Sequence, residues 1–213
     1  TTGKCFICID DKNINKILPK TTNKNILFYG CSKKANYKIS NIRQNIDYSI
    51  FDLSYFDLDH KQIKVKDIKL KLIGEHNVLN ATAAISVCLN LGVKISTIKK
   101  ALKNFTGVQR RMTKIFVKNK NEFFDDYAHH PTEISSILKG VKQVYKKRKI
   151  ISVFEPHRYS RITLLKKEFS KSFEKSDLVL ICPMYAAGEK LKLNFNLLNF
   201  ANLIGKNSKT QVI

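Results

Sequence analysis

The chain has 213 residues, which is room for one large domain or for two domains of ordinary size. Hydrophobic residues make up 43% and charged residues 26%, a globular composition that excludes wholesale disorder. No apolar run reaches the roughly 20 residues that span a bilayer, and no secretory signal opens the chain, so we expect a cytoplasmic protein with no membrane partner. The five cysteines are odd in number and lie mostly in apolar runs, which predicts reduced core residues rather than a disulfide framework.

The chain is strongly basic, with 39 Lys and Arg against 17 Asp and Glu and a net charge of +22. A basic chain can bind nucleic acid through its phosphates. Here the excess is spread over both halves, forms no basic tail and is not interleaved with aromatic residues as a base-stacking surface requires. We therefore favour a general bias in composition and expect no nucleic-acid partner. A nucleic-acid surface and an anionic substrate are the alternatives.

The first half mixes short strands with helices. Gly92 stands where a glycine commonly ends a helix, and Gly107 marks a boundary, so we expect two domains over residues 1–108 and 109–213. Hydrophobic periodicity predicts strands at Lys4–Asp10, Ile26–Gly30, Tyr37–Ile42, Tyr48–Tyr55 and Gln62–Ile73, and helices at Asn13–Leu18, His76–Leu91 and Ser96–Asn104.

The second half alternates strands and helices, which predicts β–α–β units and a parallel, Rossmann-like sheet. The fold class expected for the whole chain is therefore α/β. The predicted strands are Phe123–Ala128, Lys149–Glu155, Leu178–Met184 and a last one from Gln211, and the predicted helices are Pro131–Tyr145, Ser160–Lys175 and Phe195–Ile204.

Three unusual polar segments follow the first three of these strands. They are Asp125–His130 (DDYAHH), Glu155–Arg161 (EPHRYSR) and Pro183–Glu189 (PMYAAGE). Ligands of open parallel sheets bind at the carboxyl ends of the strands, and unpaired polar groups inside strands cost about 1–3 kcal/mol each. We therefore expect the three segments to meet at one rim and to form an active site.

The segment Asp125–Glu133 places carboxylates and imidazoles before a helix start. For Glu133 alone, a favourable interaction of its carboxylate with the positive end of the helix dipole is a sufficient reason for an acid at this position. A zinc site with His129 and His130 as ligands is a weaker alternative, because adjacent residues rarely bind one ion and the chain has no CxxC or HxxxH pair. We expect no metal ligand in this chain.

Two further arrangements suit an anionic substrate. Arg158 and Arg161 stand three residues apart, so both guanidinium groups can reach one anion, although two solvated arginines are the simpler explanation of each alone. Arg110 and Arg111 lie at the expected domain junction, where they are either solvated or able to reach a phosphate.

The start of the predicted helix His76–Leu91 carries Asn77 and Asn80, one turn apart. That spacing suits hydrogen bonding to a planar heterocycle, while helix capping is the simpler alternative for Asn77. The segment Thr1–Lys4 (TTGK) is no phosphate loop, because it lacks the GxxxxGK[ST] spacing and leads into a predicted strand.

Taken together, the segments GEHNVLNATAAISVCLNLGV, FTGVQRRM, DDYAHHPTEI, VFEPHRYSR and YAAGE resemble the Mur ligases, in the right order and spacing and over nearly the whole chain. The likeness is to the members that join L-alanine to UDP-N-acetylmuramate. Members that attach a recycled tripeptide share the first signatures but differ where His157–Arg161 stands.

The resemblance implies an ATP-dependent, cytoplasmic step of peptidoglycan synthesis that passes through an acyl phosphate. It implies that His76, Asn77 and Asn80 contact adenine and that Arg110, Arg111 and Asp126 act on the ATP phosphates and ribose side. By the same likeness, Tyr127 and His129 face the alanine and the reacting carboxylate. Arg158 and Arg161 hold carboxylate or acyl-phosphate oxygens. Glu155 and His157 support the two arginines.

The chain departs from the family by lacking a UDP-binding domain, a glycine-rich phosphate loop and the Glu and His that bind Mg²⁺. The resemblance therefore implies an internal fragment, the end of the central ATP-binding domain followed by a truncated carboxyl-terminal domain, with ATP and Mg²⁺ used by the complete enzyme. We expect the 213-residue chain alone to have no ligase activity. The oligomeric state is left open.

Overall fold

The structure is a computed structural model that describes residues 3–20, 25–57, 59–190 and 195–213. The chain divides into two compact units, Thr1–Gly107 and Val108–Ile213. The division falls one residue before the boundary expected after Val108. Thr1 and Thr2 of the TTGK segment lie outside the described residues, and Lys4 leads directly into the first strand.

The first unit is built on one mixed five-stranded sheet. Its strands stand side by side in chain order, the first three parallel and the last two antiparallel to their neighbours. The elements are β1 (Cys5–Cys8), α1 (Lys12–Ile17), β2 (Ile26–Gly30), β3 (Tyr37–Gln44), β4 (Ser49–Phe56), β5 (Gln62–Leu70), α2 (Glu75–Asn90) and α3 (Ile95–Asn104), with a 3₁₀ turn at Leu18–Lys20.

One face of this sheet forms the core of the unit, because buried side chains alternate along β4 at Ser49, Phe51, Leu53 and Tyr55. The helices α2 and α3 cover that face. Helix α2 ends before Gly92, whose φ of +81° lies in the left-handed region, as the sequence predicts. The contributions from the helices are Val78, Ala81 and Ile85 of α2 and Ile98 of α3.

The second unit holds a two-stranded antiparallel hairpin and a three-stranded parallel sheet in the order β10–β9–β8. Its elements are β6 (Thr113–Lys118), β7 (Asn121–Asp125), α4 (Pro131–Val144), β8 (Ile151–Phe154), α5 (Tyr159–Leu164), α6 (Lys166–Phe169), β9 (Leu178–Ile181), α7 (Leu197–Ser208) and β10 (Gln211–Val212). Side chains of α4 to α7 pack on the parallel strands, around Phe154, Phe169, Val179 and Phe200.

Three expectations from the sequence are wrong. The strand predicted at Phe123–Ala128 pairs antiparallel with β6, a strand that the periodicity misses, and not with the parallel sheet. The helix predicted at Ser160–Lys175 is broken at Leu165 and ends at Phe169. The five cysteines are free thiols, but none is buried: Cys5 and Cys31 are exposed and the others are half-buried.

No helix in the described part of the chain combines the length and the apolar character needed to cross a membrane.

Candidate active site

The loop before α4 is fixed by its own carboxylate. The Glu133 side chain accepts hydrogen bonds from the backbone N–H groups of His129 and His130, both at 3.1 Å. In return, Nδ1 of His130 accepts from the N–H of Thr132 at 3.3 Å, and Pro131 occupies the first helical position. This reciprocal capping arrangement satisfies N–H groups that a helix start leaves without partners.

Burial alone would raise the pKa of Glu133. The hydrogen bonds from the N–H groups of His129 and His130, together with the positive charges of His129 and Arg111, outweigh burial and lower this pKa below its ordinary value of 4.5. Glu133 is therefore ionised at neutral pH and serves the loop as a cap, as the sequence suggests for this residue.

Asp126 joins the two ends of the β6–β7 hairpin. Its carboxylate accepts from the N–H of Met112 at 2.8 Å and from the N–H of Ala128 at 2.7 Å. Beside it, the N–H of Tyr127 donates to the carbonyl of Arg110 at 2.8 Å. Both oxygens of Asp126 are therefore engaged by backbone groups.

Arg110 and Arg111 have partners on the same loop. Arg110 Nε lies 3.3 Å from the Asp125 carboxylate, and its guanidinium lies 4.9 Å from the centre of the Tyr127 ring. Arg111 Nη1 lies 3.6 Å from the Glu133 carboxylate. Both arginine side chains are more than half exposed, so these ion pairs are weak and the guanidinium groups stay accessible to an anion.

Aromatic rings run in an unbroken series from the loop of residues 125–130 to the loop of residues 155–161. The Tyr127 and His129 ring centres are 5.0 Å apart, those of His129 and His157 6.4 Å, and those of His157 and Tyr185 5.2 Å. At the same place, Nη1 of Arg161 lies 3.1 Å from Nδ1 of His157. The ring series thus joins the three segments singled out in the sequence, through His129, His157 and Tyr185, and Arg161 contacts His157 within it.

His157 is surrounded by positive charge. Burial lowers the pKa of its imidazole, the charges of Arg161, Arg158 and His129 lower it further, and only Glu155 acts in the opposite sense. The imidazole is therefore neutral at pH 7. A neutral ring can accept a hydrogen bond at Nδ1, so the Arg161 guanidinium is the donor of the contact between them.

The loop of residues 155–161, which we call the arginine loop, is held by residues 185–189. The N–H of Arg158 donates to the carbonyl of Tyr185 at 2.9 Å, and the N–H of Tyr185 donates to the carbonyl of Pro156 at 2.8 Å. The Glu189 carboxylate accepts from the N–H of Ser160 at 2.9 Å and also from its hydroxyl. Arg158 itself has a φ of +68°, which is uncommon for a residue other than glycine.

In the first unit, the start of α2 is tightly built. Gly74 has a φ of +95°, and a Cβ at this position would lie 2.6 Å from the His76 ring, so only glycine fits. Asn77 Nδ2 donates to the carbonyl of Ile73 at 2.8 Å, which leaves its side-chain oxygen as an acceptor. Asn80, one turn later, is exposed.

The sequence indicates no role for Tyr185, Ser160 or Glu189, although all three lie within the polar segments that follow predicted strands. Tyr185 and Glu189 hold the loop of residues 155–161, and Ser160 is the residue of that loop that Glu189 contacts. The only sequence signal was that residues 183–189 follow a strand of the same parallel sheet, whose loop ends at the same edge.

Two protein-family models match this chain. Residues 1–88 match the Mur ligase middle domain, and residues 110–203 match the glutamate ligase domain of Mur ligases. The chain belongs to the Mur ligase family.

Curated relatives agree with this assignment. This Mur ligase chain is 51% identical over 210 residues to the UDP-N-acetylmuramate–L-alanine ligase of Pelagibacter ubique, covering 99% of the chain and 45% of that protein. It is 43% identical over 189 residues to the ligase of the same name from Brachyspira hyodysenteriae, covering 88% of the chain and 39% of that protein. The chain thus spans less than half the length of these relatives.

Solved structures of Mur ligases have the same fold. The UDP-N-acetylmuramate–alanine ligase of Thermotoga maritima matches with a TM-score of 0.67 and 27% identity, over 87% of this chain and 38% of that one. A murein peptide ligase from Psychrobacter arcticus matches with a TM-score of 0.64 and 25% identity, over the whole of this chain and 43% of that one.

Mur ligases generally use Mg²⁺ with ATP, but the residues described here do not fit such an ion. Within residues 3–20, 25–57, 59–190 and 195–213, no three His, Cys, Asp or Glu side chains are grouped in a way that would bind a metal. Asp126 directs its oxygens to backbone N–H groups, and Glu133 directs one to the N–H groups of His129 and His130.

Proposed function

We propose that this chain is part of an ATP-dependent ligase that joins L-alanine to UDP-N-acetylmuramate in the cytoplasm, a step of peptidoglycan synthesis. The single observation that carries the proposal is the 51% identity, over 99% of the chain, to a ligase named for that reaction. The glycine-rich phosphate loop, the Mg²⁺ ligands and the UDP-binding domain of such an enzyme are then supplied from outside these 213 residues.

In the proposed reaction, a carboxylate oxygen of the sugar nucleotide attacks the γ-phosphorus of ATP, and ADP leaves. The alanine amine then attacks the acyl carbon, loses a proton and expels inorganic phosphate. Charge accumulates on oxygen in both steps, so catalysis depends mainly on positioning and on cationic groups placed near those oxygens.

Arg158 and Arg161 are proposed to supply this positive charge. Their guanidinium groups hold the carboxylate of alanine or the oxygens of the acyl phosphate, with two or more donors each. The neutral His157 beside Arg161 supports this role, because it orients the guanidinium without competing for the anion.

Tyr127 and His129 are proposed to face the incoming amino acid and the reacting carboxylate. The His129 ring lies next to the His157–Arg161 pair, and its Nδ1 is 2.9 Å from the carbonyl of Tyr127. A carbonyl oxygen can only accept, so Nδ1 is the donor of this contact, and Nε2 is the ring nitrogen left to receive a proton from the alanine amine.

The nucleotide contacts are proposed from the family likeness. Asn77 and Asn80, with His76 nearby, are suited to adenine, because Asn77 retains a side-chain oxygen and Asn80 is exposed. Arg110, Arg111 and Asp126 are assigned to the ATP phosphates and ribose side. The two arginines have accessible guanidinium groups, whereas Asp126 more directly fixes the backbone that carries them.

The test uses two proteins. One is the 213-residue chain, and the other is a full-length chimera in which the parts of the Pelagibacter ubique ligase outside the matched region are joined to it. We expect phosphate release that depends on both ATP and L-alanine from the chimera and none from the chain alone. Phosphate release by the isolated chain would contradict the proposal that parts of the enzyme outside these 213 residues are needed for activity.

The choice of substrate is tested in the same assay. If the recycled tripeptide replaces L-alanine with a higher kcat/KM, the chain belongs to a recycling ligase and the proposed substrate is wrong. If the chimera is folded but releases no phosphate with either substrate, the ligase proposal itself is wrong. Tight, salt-sensitive binding of single-stranded nucleic acid by the inactive chimera would then favour a nucleic-acid function.

A further inference from the structure

The segment Tyr185–Glu189 contacts the arginine loop at three places. Tyr185 forms an isolated parallel bridge with His157 and stacks on its ring. The carbonyl of Tyr185 accepts the N–H of Arg158, and Glu189 accepts two hydrogen bonds from Ser160. Ser160 lies between the two arginines in the chain, so its position constrains both of them.

The backbone of the arginine loop needs such support. Arg158 has a φ of +68°, a backbone conformation that is unfavourable for a residue with a Cβ and persists only when the surrounding structure holds it. The buried side chains of Tyr159 (9% exposed) and Ile162 (1% exposed) anchor α5 to the core of the second unit. The exposed side of the turn, with Arg158 and Ser160, is held by Tyr185 and Glu189 instead.

We infer that Glu189 is a positioning residue, which fixes the turn at Ser160 and thereby sets where the Arg158 and Arg161 guanidinium groups stand. A carboxylate suits this task because each of its two oxygens accepts one bond, from the backbone N–H and from the hydroxyl of the same serine. Glu189 itself does not touch the substrate. The inference rests on the proposed function only in naming the anion that the arginines hold.

The first test uses the 213-residue chain and needs no activity. NMR signals of the Ser160 amide and of the Arg161 guanidinium are compared between the parent chain and Glu189→Ala. We expect faster exchange of the Ser160 amide and a shifted Arg161 Nε–H signal. Glu174→Ala, which removes an exposed carboxylate elsewhere in the same unit, is expected to change neither. Unchanged Ser160 and Arg161 signals in Glu189→Ala would overturn the inference.

The second test is kinetic and uses the full-length chimera. We expect Glu189→Ala to raise KM for L-alanine or lower kcat by about 10- to 100-fold, while KM for ATP changes less than about 2-fold. Glu189→Gln, which keeps one oxygen acceptor, is expected to retain more activity than Glu189→Ala. In an Arg161→Ala background, the further loss from Glu189→Ala should be smaller than in the parent, because only Arg158 then remains for Glu189 to position.

The outcomes separate the two proposals. A folded but inactive parent chimera contradicts the proposed function, and the NMR comparison still decides the role of Glu189. An active parent that is damaged by Arg161→Ala but not by Glu189→Ala contradicts only the inference. If Glu189→Ala does not fold, Ser160→Ala, which removes only the hydroxyl bond, takes its place, and normal kinetics and normal Arg161 signals in that variant overturn the inference.

Discussion

The two loops that carry the candidate catalytic residues of the second unit are held in different ways. Residues 125–133 are fixed from within, because the carboxylates of Asp126 and Glu133 bind backbone N–H groups of the same loop and its hairpin. Residues 155–161 are fixed from outside, by Tyr185 and Glu189 of another strand end. The side-chain support of the second loop can therefore be removed without changing the loop, whereas in the first loop the two supporting carboxylates are part of the loop itself.

The largest expected effect comes from removing the charge that the second loop presents. In the full-length chimera, Arg161→Ala should lower alanine-dependent phosphate release by about 100-fold, because a donor to a developing oxyanion is lost. Circular dichroism should show an intact fold, since the guanidinium lies outside the buried cluster. Lys167→Ala, on an exposed part of α6, serves as the control. Normal turnover and normal KM for alanine in Arg161→Ala would show that the site is assigned wrongly.

In the first loop, the largest loss should be one of stability. Asp126→Ala removes two hydrogen bonds from a carboxylate to backbone N–H groups, which should cost about 2 kcal/mol in the free energy of unfolding of the second unit. The neighbouring Asp125→Ala removes an exposed ion pair and should cost less than about 0.5 kcal/mol. Urea unfolding followed by NMR signals of this unit measures both. Equal losses in the two variants would contradict the distinction.

The contrast between these neighbouring aspartates marks the limit of what the sequence could predict. The rule that ligands bind at the carboxyl ends of parallel strands holds for the segments after β8 and β9, whereas the first segment follows a strand of the antiparallel hairpin. The roles of individual side chains did not follow. Asp126 reaches Met112 only because β6 pairs with β7, a contact that no local pattern contains.

The hairpin itself was missed for a local reason. Ile115, Phe116 and Val117 are consecutive apolar residues without alternation, and all three are at least half exposed. The turn that joins the strands, Asn119–Lys120, has positive φ at both residues but lacks the glycine that signals such a turn. The strands of the first unit, α2 and α4 were predictable as single elements, because apolar residues recur at the right spacing, Gly92 follows the end of α2 and Pro131 begins α4. The pairing of those strands into one sheet was not predicted.

The pH dependence of stability sharpens the comparison further. The pKa of Glu133 is lowered in the folded state, so its contribution to stability is complete above the ordinary value of 4.5 and disappears as the pH falls through the lowered value. Glu133→Gln should therefore be about 1 kcal/mol less stable than the parent at pH 7, and the two should converge at an acid pH below the lowered pKa. Urea unfolding at both pH values checks this expectation. A difference that persists unchanged in acid would mean that the carboxylate charge is not the cause.

The last effect concerns the backbone of the second loop. Because Arg158 has a φ of +68° at the residue before α5, Arg158→Gly relieves strain that Arg158→Ala retains. Both variants should lose activity in the chimera, since both lack the guanidinium, but the glycine variant should be more stable by about 1 kcal/mol. Urea unfolding of the two 213-residue variants measures the difference. If the alanine variant were equally stable, the turn would not be strained, and the contacts from Tyr185 and Glu189 would have no unfavourable backbone conformation to hold in place.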